Sequence, residues 1–128
     1  MASVVFDASA IIALLRNEPG AEAVAAHIGD GLISAVNLQE VVKGLLRRGA
    51  PLDAARTMIE ALHLDVRPHS AEDAFSAAAL HAATAAFGSG VGDRSCMALA
   101  IAENLPALTA DKDWSRIAVP GLKVMLVR

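Results

Sequence analysis

The chain has no tyrosine, three phenylalanines and a single tryptophan, Trp114. Stacking of bases on aromatic side chains is therefore not the main way it would recognise a nucleic acid. Cysteine occurs once, at Cys96, so no intrachain disulfide forms and a reducing compartment is expected. No apolar run approaches the roughly 20 residues of a membrane span. The apolar start carries Asp7 and has no basic region, so it does not read as a secretory signal. The chain reads as soluble and cytoplasmic. His27, His63, His69 and His81 show no ligand spacing, and no Cys–His pair points to a thiol enzyme. Net charge is −3, with 14 acids against 11 Lys and Arg, which argues against a passive nucleic-acid binder. A nucleic-acid enzyme is not excluded: with four acids gathered in one site, ten would face eleven bases elsewhere.

What is present is core-forming sequence. Of 128 residues 55% are hydrophobic, mostly Ala, Leu, Val and Ile, ample for one domain over 1–128. Val4-Val5-Phe6 is a run of β-formers, as in a strand buried on both faces. Residues 8–15 have helical length and composition and end at Asn17-Glu18-Pro19-Gly20. Residues 20–28 form a second helical piece before the turn Gly29-Asp30-Gly31. Leu32-Ile33-Ser34 is a short strand. A helix over 36–48 follows, closed by Gly49 and Pro51, and then another over 52–62. Leu64-Asp65-Val66 is a candidate strand. Ser70, with Asp73 at capping-box spacing, opens one long helix to about Phe87. Beyond the loop Gly88-Ser89-Gly90-Val91-Gly92, residues 93–103 form a helix and Ala107-Leu108-Thr109 a strand. A polar loop over 110–114 and a last strand over 123–127 complete the chain. Strands separated by helices mean βα units, hence an α/β fold with a mainly parallel sheet of four or five strands.

Four carboxylates fall near a strand's carboxyl end or a helix start. Asp7 follows the first strand, and Glu40 lies in the first turns of the helix after 32–34. Asp93 begins a helix behind the glycine loop, and Asp111 comes just past Thr109. In an open parallel sheet the strand carboxyl ends share one edge, where ligands bind. Each acid alone has a plain structural reading. Asp7 and Asp93 suit helix N-caps, Glu40 suits a surface pair with Lys43, and Asp111 suits an ordinary loop. On spacing alone the structural and the catalytic readings stand level. Clustered carboxylates raise one another's pKa, and a cation removes the conflict. Oxygen ligands without His or Cys point to Mg²⁺ or Mn²⁺ rather than zinc. Such ions serve the hydrolysis of phosphodiesters.

Phe6-Asp7-Ala8-Ser9-Ala10, with Asn17-Glu18-Pro19-Gly20 after it, resembles the opening of PIN-domain ribonucleases, in particular the VapC toxins of bacterial toxin–antitoxin systems. Ser34-Ala35-Val36-Asn37-Leu38-Gln39-Glu40-Val41 resembles their second acidic motif, and Gly92-Asp93-Arg94-Ser95-Cys96-Met97-Ala98-Leu99-Ala100 the third. Leu108-Thr109-Ala110-Asp111-Lys112-Asp113-Trp114 resembles the last. Residues 50–90 carry little of the likeness, and the glycine loop before Asp93 departs from the family's form. The resemblance implies a PIN-like three-layer sandwich and an endoribonuclease using Mg²⁺ or Mn²⁺. It also implies a homodimer and inhibition by a small cognate antitoxin. Carried over by position, Asp7, Glu40, Asp93 and Asp111 would be the catalytic, metal-binding acids. Ser9 and Thr109 would be hydroxyls that orient carboxylates or waters. Asp113 reads as a solvated loop acid rather than the ligand of a second ion.

Lys43 and Arg47 follow Glu40 by three and seven residues and share its helix face. With Arg94 and Lys112 they are candidate contacts for RNA phosphates, against the plain reading of solvated charges. Trp114 reads as packing the last loop onto the sheet, and Cys96 and Met97 as core. Two other functions compete. One is a catalytically silent PIN-like binding module, against which the four intact acids count. The other is an α/β phosphatase with Asp7 as nucleophile; such enzymes carry Asp-x-Asp, where this chain has Asp7-Ala8-Ser9.

Overall fold

The computed structural model describes residues 1–128. Five three- and four-residue strands, all parallel, lie in the order β3-β2-β1-β4-β5. They are β1 (Val4–Phe6), β2 (Gly31–Ser34), β3 (Asp65–Arg67), β4 (Ala107–Thr109) and β5 (Val124–Leu126). Parallel neighbours require crossovers, and helices supply them. The helices are α1 (Ala8–Leu15), α2 (Ala21–Ala25), α3 (Ala35–Arg47), α4 (Leu52–Glu60), α5 (Ala71–Ala78), α6 (His81–Thr84) and α7 (Val91–Glu103). The expected α/β class is what the chain adopts, with helices on both faces of the sheet.

Side chains alternate across the sheet, which sorts the core into two layers. Val4, Phe6, Ile33 and Leu108 pack on one face with Ile11 of α1, Val24 of α2, Val41 and Leu45 of α3, and Ala55 of α4. Val5, Leu32 and Ala107 pack on the other with Cys96, Met97 and Ala100 of α7, and with Trp114 and Ile117. Strand β1 is central, so its three residues are buried on both faces. That is why it reads as an unbroken apolar run. Helix α5 lies outside, packed on α7. No helix is long and apolar enough to cross a membrane.

The main departure from expectation is the long helix over 70–87. Its start is as expected: the Ser70 hydroxyl accepts from the Asp73 amide at 3.1 Å, and the Asp73 carboxylate accepts from the Ser70 amide at 2.9 Å. The helix then breaks into α5, α6 and a 3-10 turn over Ala85–Phe87. The Thr84 hydroxyl bonds back to the carbonyls of Leu80 at 2.8 Å and His81 at 3.3 Å, a competition that bends helices. Leu80 turns in to pack against the second core layer. The second helical piece also ends early. After Ala25 the amides of His27 and Ile28 bond three residues back, tightening the chain into a turn. Strand β3 sits one residue later than expected, β5 is shorter, and α7 begins at Val91 rather than Asp93.

Trp114 is buried in the second core layer, so its ring is packing and not a base platform. Trp114→Ala should destabilise the protein by about 3–5 kcal/mol. Urea denaturation measures this, and a loss below about 1 kcal/mol would place the ring outside the core's energetics.

Candidate active site at the carboxyl edge of the sheet

Asp7 begins where β1 ends. It caps α1, as the plain reading held, since Oδ1 accepts from the Ala10 amide at 2.9 Å. The same oxygen accepts from the Ser9 hydroxyl at 2.7 Å, and Oδ2 accepts from the Thr109 hydroxyl at 2.7 Å. Thr109 ends β4, the strand beside β1. The two hydroxyls extend the network: Ser9 accepts from the Ala110 amide at 2.9 Å and Thr109 from the Asp111 amide at 3.0 Å. Asp7 is only 4% exposed. Burial raises its pKa from 3.8 to about 6; the bonds from Thr109, Ser9 and Ala10 oppose the rise, and the charge of Asp93 adds to it.

Asp93 is the third residue of α7, not its cap. Its Oδ2 reaches back to accept from the Gly90 amide at 3.2 Å. Burial raises its pKa against that bond, Asp111 raises it further, and Arg94 draws it down. Asp111 is exposed and caps a 3-10 turn over Lys112–Arg116, accepting from the Asp113 amide at 2.9 Å. Glu40 projects from α3, and its Oε1 accepts from the Asn37 side-chain amide at 2.9 Å. Below them, burial pushes the Cys96 thiol well up, and the charges of Asp7, Asp93 and Glu40 push it further. Asp93 is thus coupled to Asp7 and to Asp111, and the charges of Asp7, Asp93 and Glu40 all reach Cys96.

They do not close into a cage: no three Asp, Glu, His or Cys side chains gather tightly enough to encircle an ion. An open, all-oxygen set fits Mg²⁺ or Mn²⁺ better than a structural metal. Mg²⁺ keeps several waters and is held by one or two carboxylates plus substrate phosphate. The two largest surface hollows, of about 630 and 480 Å³, are lined by none of the four acids. The site is an open edge, suited to a polymer.

The bases differ in their freedom. Lys43, Arg47 and Lys112 are exposed and form no ion pair, so the Glu40–Lys43 pair is not made. Arg47 and Arg48 line a shallow hollow of about 340 Å³ with Gly44. Arg94 instead donates to the Ser89 carbonyl at 2.7 Å, tying α7 to the glycine loop. Asp113 is paired with Arg116, whose guanidinium lies 5.4 Å from the centre of the Phe87 ring. Two residues at the site had no signal in the sequence beyond their place in acidic motifs. Asn37 is 1% exposed and donates to both Glu40 and the Gly92 carbonyl, each at 2.9 Å. Gly92 sits so close beneath Glu40 that a Cβ there would overlap its carboxylate.

The chain belongs to the PIN-domain family, whose sequence profile matches residues 4–120. Its fold is similar to that of DNA-bound VapBC from Salmonella typhimurium, with a TM-score of 0.74, 18% identity and full coverage of both chains. It is similar to a toxin–antitoxin complex from Klebsiella pneumoniae, with a TM-score of 0.74, 22% identity and 98% of each chain covered. It is also similar to VapBC-5 from Mycobacterium tuberculosis, at TM-score 0.63 and 21% identity over 98% of this chain and 99% of that one. No curated protein sequence matches the chain. At these identities the likeness establishes the fold.

The raised pKa of Asp7 has a stability consequence. Between the unfolded value near 3.8 and the folded value of about 6, the native state holds a proton that the unfolded chain has released. The contribution of Asp7 to stability therefore falls as pH rises through that window and is level above it. The fall is at most about 3 kcal/mol. In chelator-treated protein, thermal melts from about pH 4 to about pH 7 should show this decline relative to Asp7→Asn. Parallel profiles for the two proteins would mean that Asp7 titrates normally.

Proposed function

We propose that the chain is one PIN domain acting as a metal-dependent endoribonuclease, the cytoplasmic toxin of a toxin–antitoxin pair. The reading is supported by the coupling of Asp93 to Asp7 and to Asp111, by Glu40 lying against Gly92 beside Asp93, and by the raised pKa of Asp7 and Asp93. Acids that repel one another in a half-dry site call for a cation. Asp7, Glu40, Asp93 and Asp111 would hold Mg²⁺ or Mn²⁺ there. When bound, such an ion supplies a lowered water pKa and neutralises charge on the leaving oxygen.

The remaining work falls to the chain itself. Ser9 and Thr109 hold both oxygens of Asp7, so the carboxylate faces the edge in one orientation. Asp111, on the turn after β4, is exposed to an incoming strand. Lys43, Arg47 and Lys112 are free to pair with phosphates, which positions RNA without reading its sequence. Arg94 joins them only by leaving the Ser89 carbonyl. Hydrolysis then adds water across one phosphodiester, breaking one P–O ester bond.

The relatives in toxin–antitoxin complexes support a cognate antitoxin as partner. The surface has apolar area for it and for a second copy. A groove between α3 and α4 is lined by Leu38, Val42, Leu52, Ile59, Leu64 and Val66. Phe75 on α5 and Val91 on α7 are 76% and 65% exposed.

Asp7→Asn should lower RNA cleavage by more than about 100-fold, beyond the loss usual for residues that only support a metal ligand, with the fold kept by circular dichroism. EDTA should stop cleavage, Mn²⁺ or Mg²⁺ should restore it, and Asp113→Ala should leave it within about 2-fold. Wild-type protein that cleaves no RNA under any of these conditions supports the silent binding module instead.

A further inference from the structure

We propose that Asn37 and Gly92 act together as a positioning device for Glu40, clamping its carboxylate against the first turn of α7. Three of the four acids need no such help. Asp7, Asp93 and Asp111 are short side chains set by a strand end or a helix start, each bonded to a nearby backbone amide. Glu40 is longer, comes from the middle of α3, and accepts only from Asn37.

Two residues meet on it, and neither is what stability alone would select. Asn37 is buried, and both hydrogens of its amide are used, one on Glu40 and one on the Gly92 carbonyl 55 residues away. The orientation is set by chemistry, because a flipped amide would turn its oxygen toward two acceptors. In the observed orientation Oδ1 is buried without a partner. An apolar residue of similar size would avoid that cost. Gly92 lies within α7, where alanine favours the helix. The space a Cβ would fill is taken by the Glu40 carboxylate. An amide with a bare acceptor and a helical glycine are both explained by one task. They bring α3 and α7 together so that Glu40 lies beside the turn that carries Asp93.

The part of this inference that concerns metal rests on the proposed function; the clamp itself does not. In wild-type background Gly92→Ala should lower the melting temperature, because the new methyl displaces Glu40. In Glu40→Ala background the same change should raise it, as helix propensity dictates. A Gly92→Ala effect of the same sign and size in both backgrounds overturns the clamp. Asn37→Leu should stay folded by circular dichroism and weaken Mn²⁺ binding about 10- to 100-fold in titration calorimetry. Unchanged Mn²⁺ affinity in that variant overturns the positioning role. Wild-type protein that binds no Mn²⁺ overturns the metal reading of the site, and the Gly92–Glu40 pair of melts then decides the clamp by itself.

Discussion

A carboxylate with almost no access to water, at the end of the central strand, is the constraint on which the rest depends. Asp7 is placed there because β1 is walled in on both faces, so the chain emerging from it starts inside the protein. Losing hydration raises its pKa, and three donors recover part of the loss. Those donors come from both neighbours of the acid: Ser9 and Ala10 on the helix that follows, Thr109 from the adjacent strand. The register of β4 against β1 is thus tied to the chemistry of the edge. Shifting β4 by one residue would turn Thr109 to the other face and strip one oxygen of Asp7 of its partner.

The layers around the sheet then bring the other acids in from different directions. Asp111 follows β4 after one residue, and the Thr109 hydroxyl joins its amide to the Asp7 oxygen. Asp93 arrives on α7, whose first turn stands over the buried thiol of Cys96. Glu40 reaches across from α3, on the opposite layer. No single element carries two of them, so their spacing is a property of the packed fold. The open set that results differs from a preformed cage. It leaves room for water and phosphate oxygens, which suits an ion that keeps much of its own hydration.

Much of this was legible in the sequence. Apolar runs followed by acids marked the strand ends, and the capping box at Ser70 and Asp73 read correctly because both residues act locally. Other features were hidden for physical reasons. Asp93 was expected to open its helix, but two further residues precede it because Val91 and Gly92 continue the helix backward. The break near Leu80 was invisible because Ala-rich sequence favours helix throughout; a threonine's back-bond and one inward leucine decide against it. Asn37 and Gly92 acquire meaning only when α3 meets α7, a contact that no local pattern encodes. Conversely, the Glu40–Lys43 pair that spacing allowed is absent, because Asn37 holds Glu40 instead.

The broken helix on the outside of the sheet carries one more consequence. Between residues 71 and 87 only Ala77 and Thr84 are buried, while the three central strands β1, β2 and β4 are buried throughout. A stretch with so few fully buried side chains is expected to open more readily than the sheet. Its amide hydrogens should therefore exchange with solvent before those of β1. The fold thus pairs a buried sheet edge that carries the acids with a more lightly buried outer segment packed on α7.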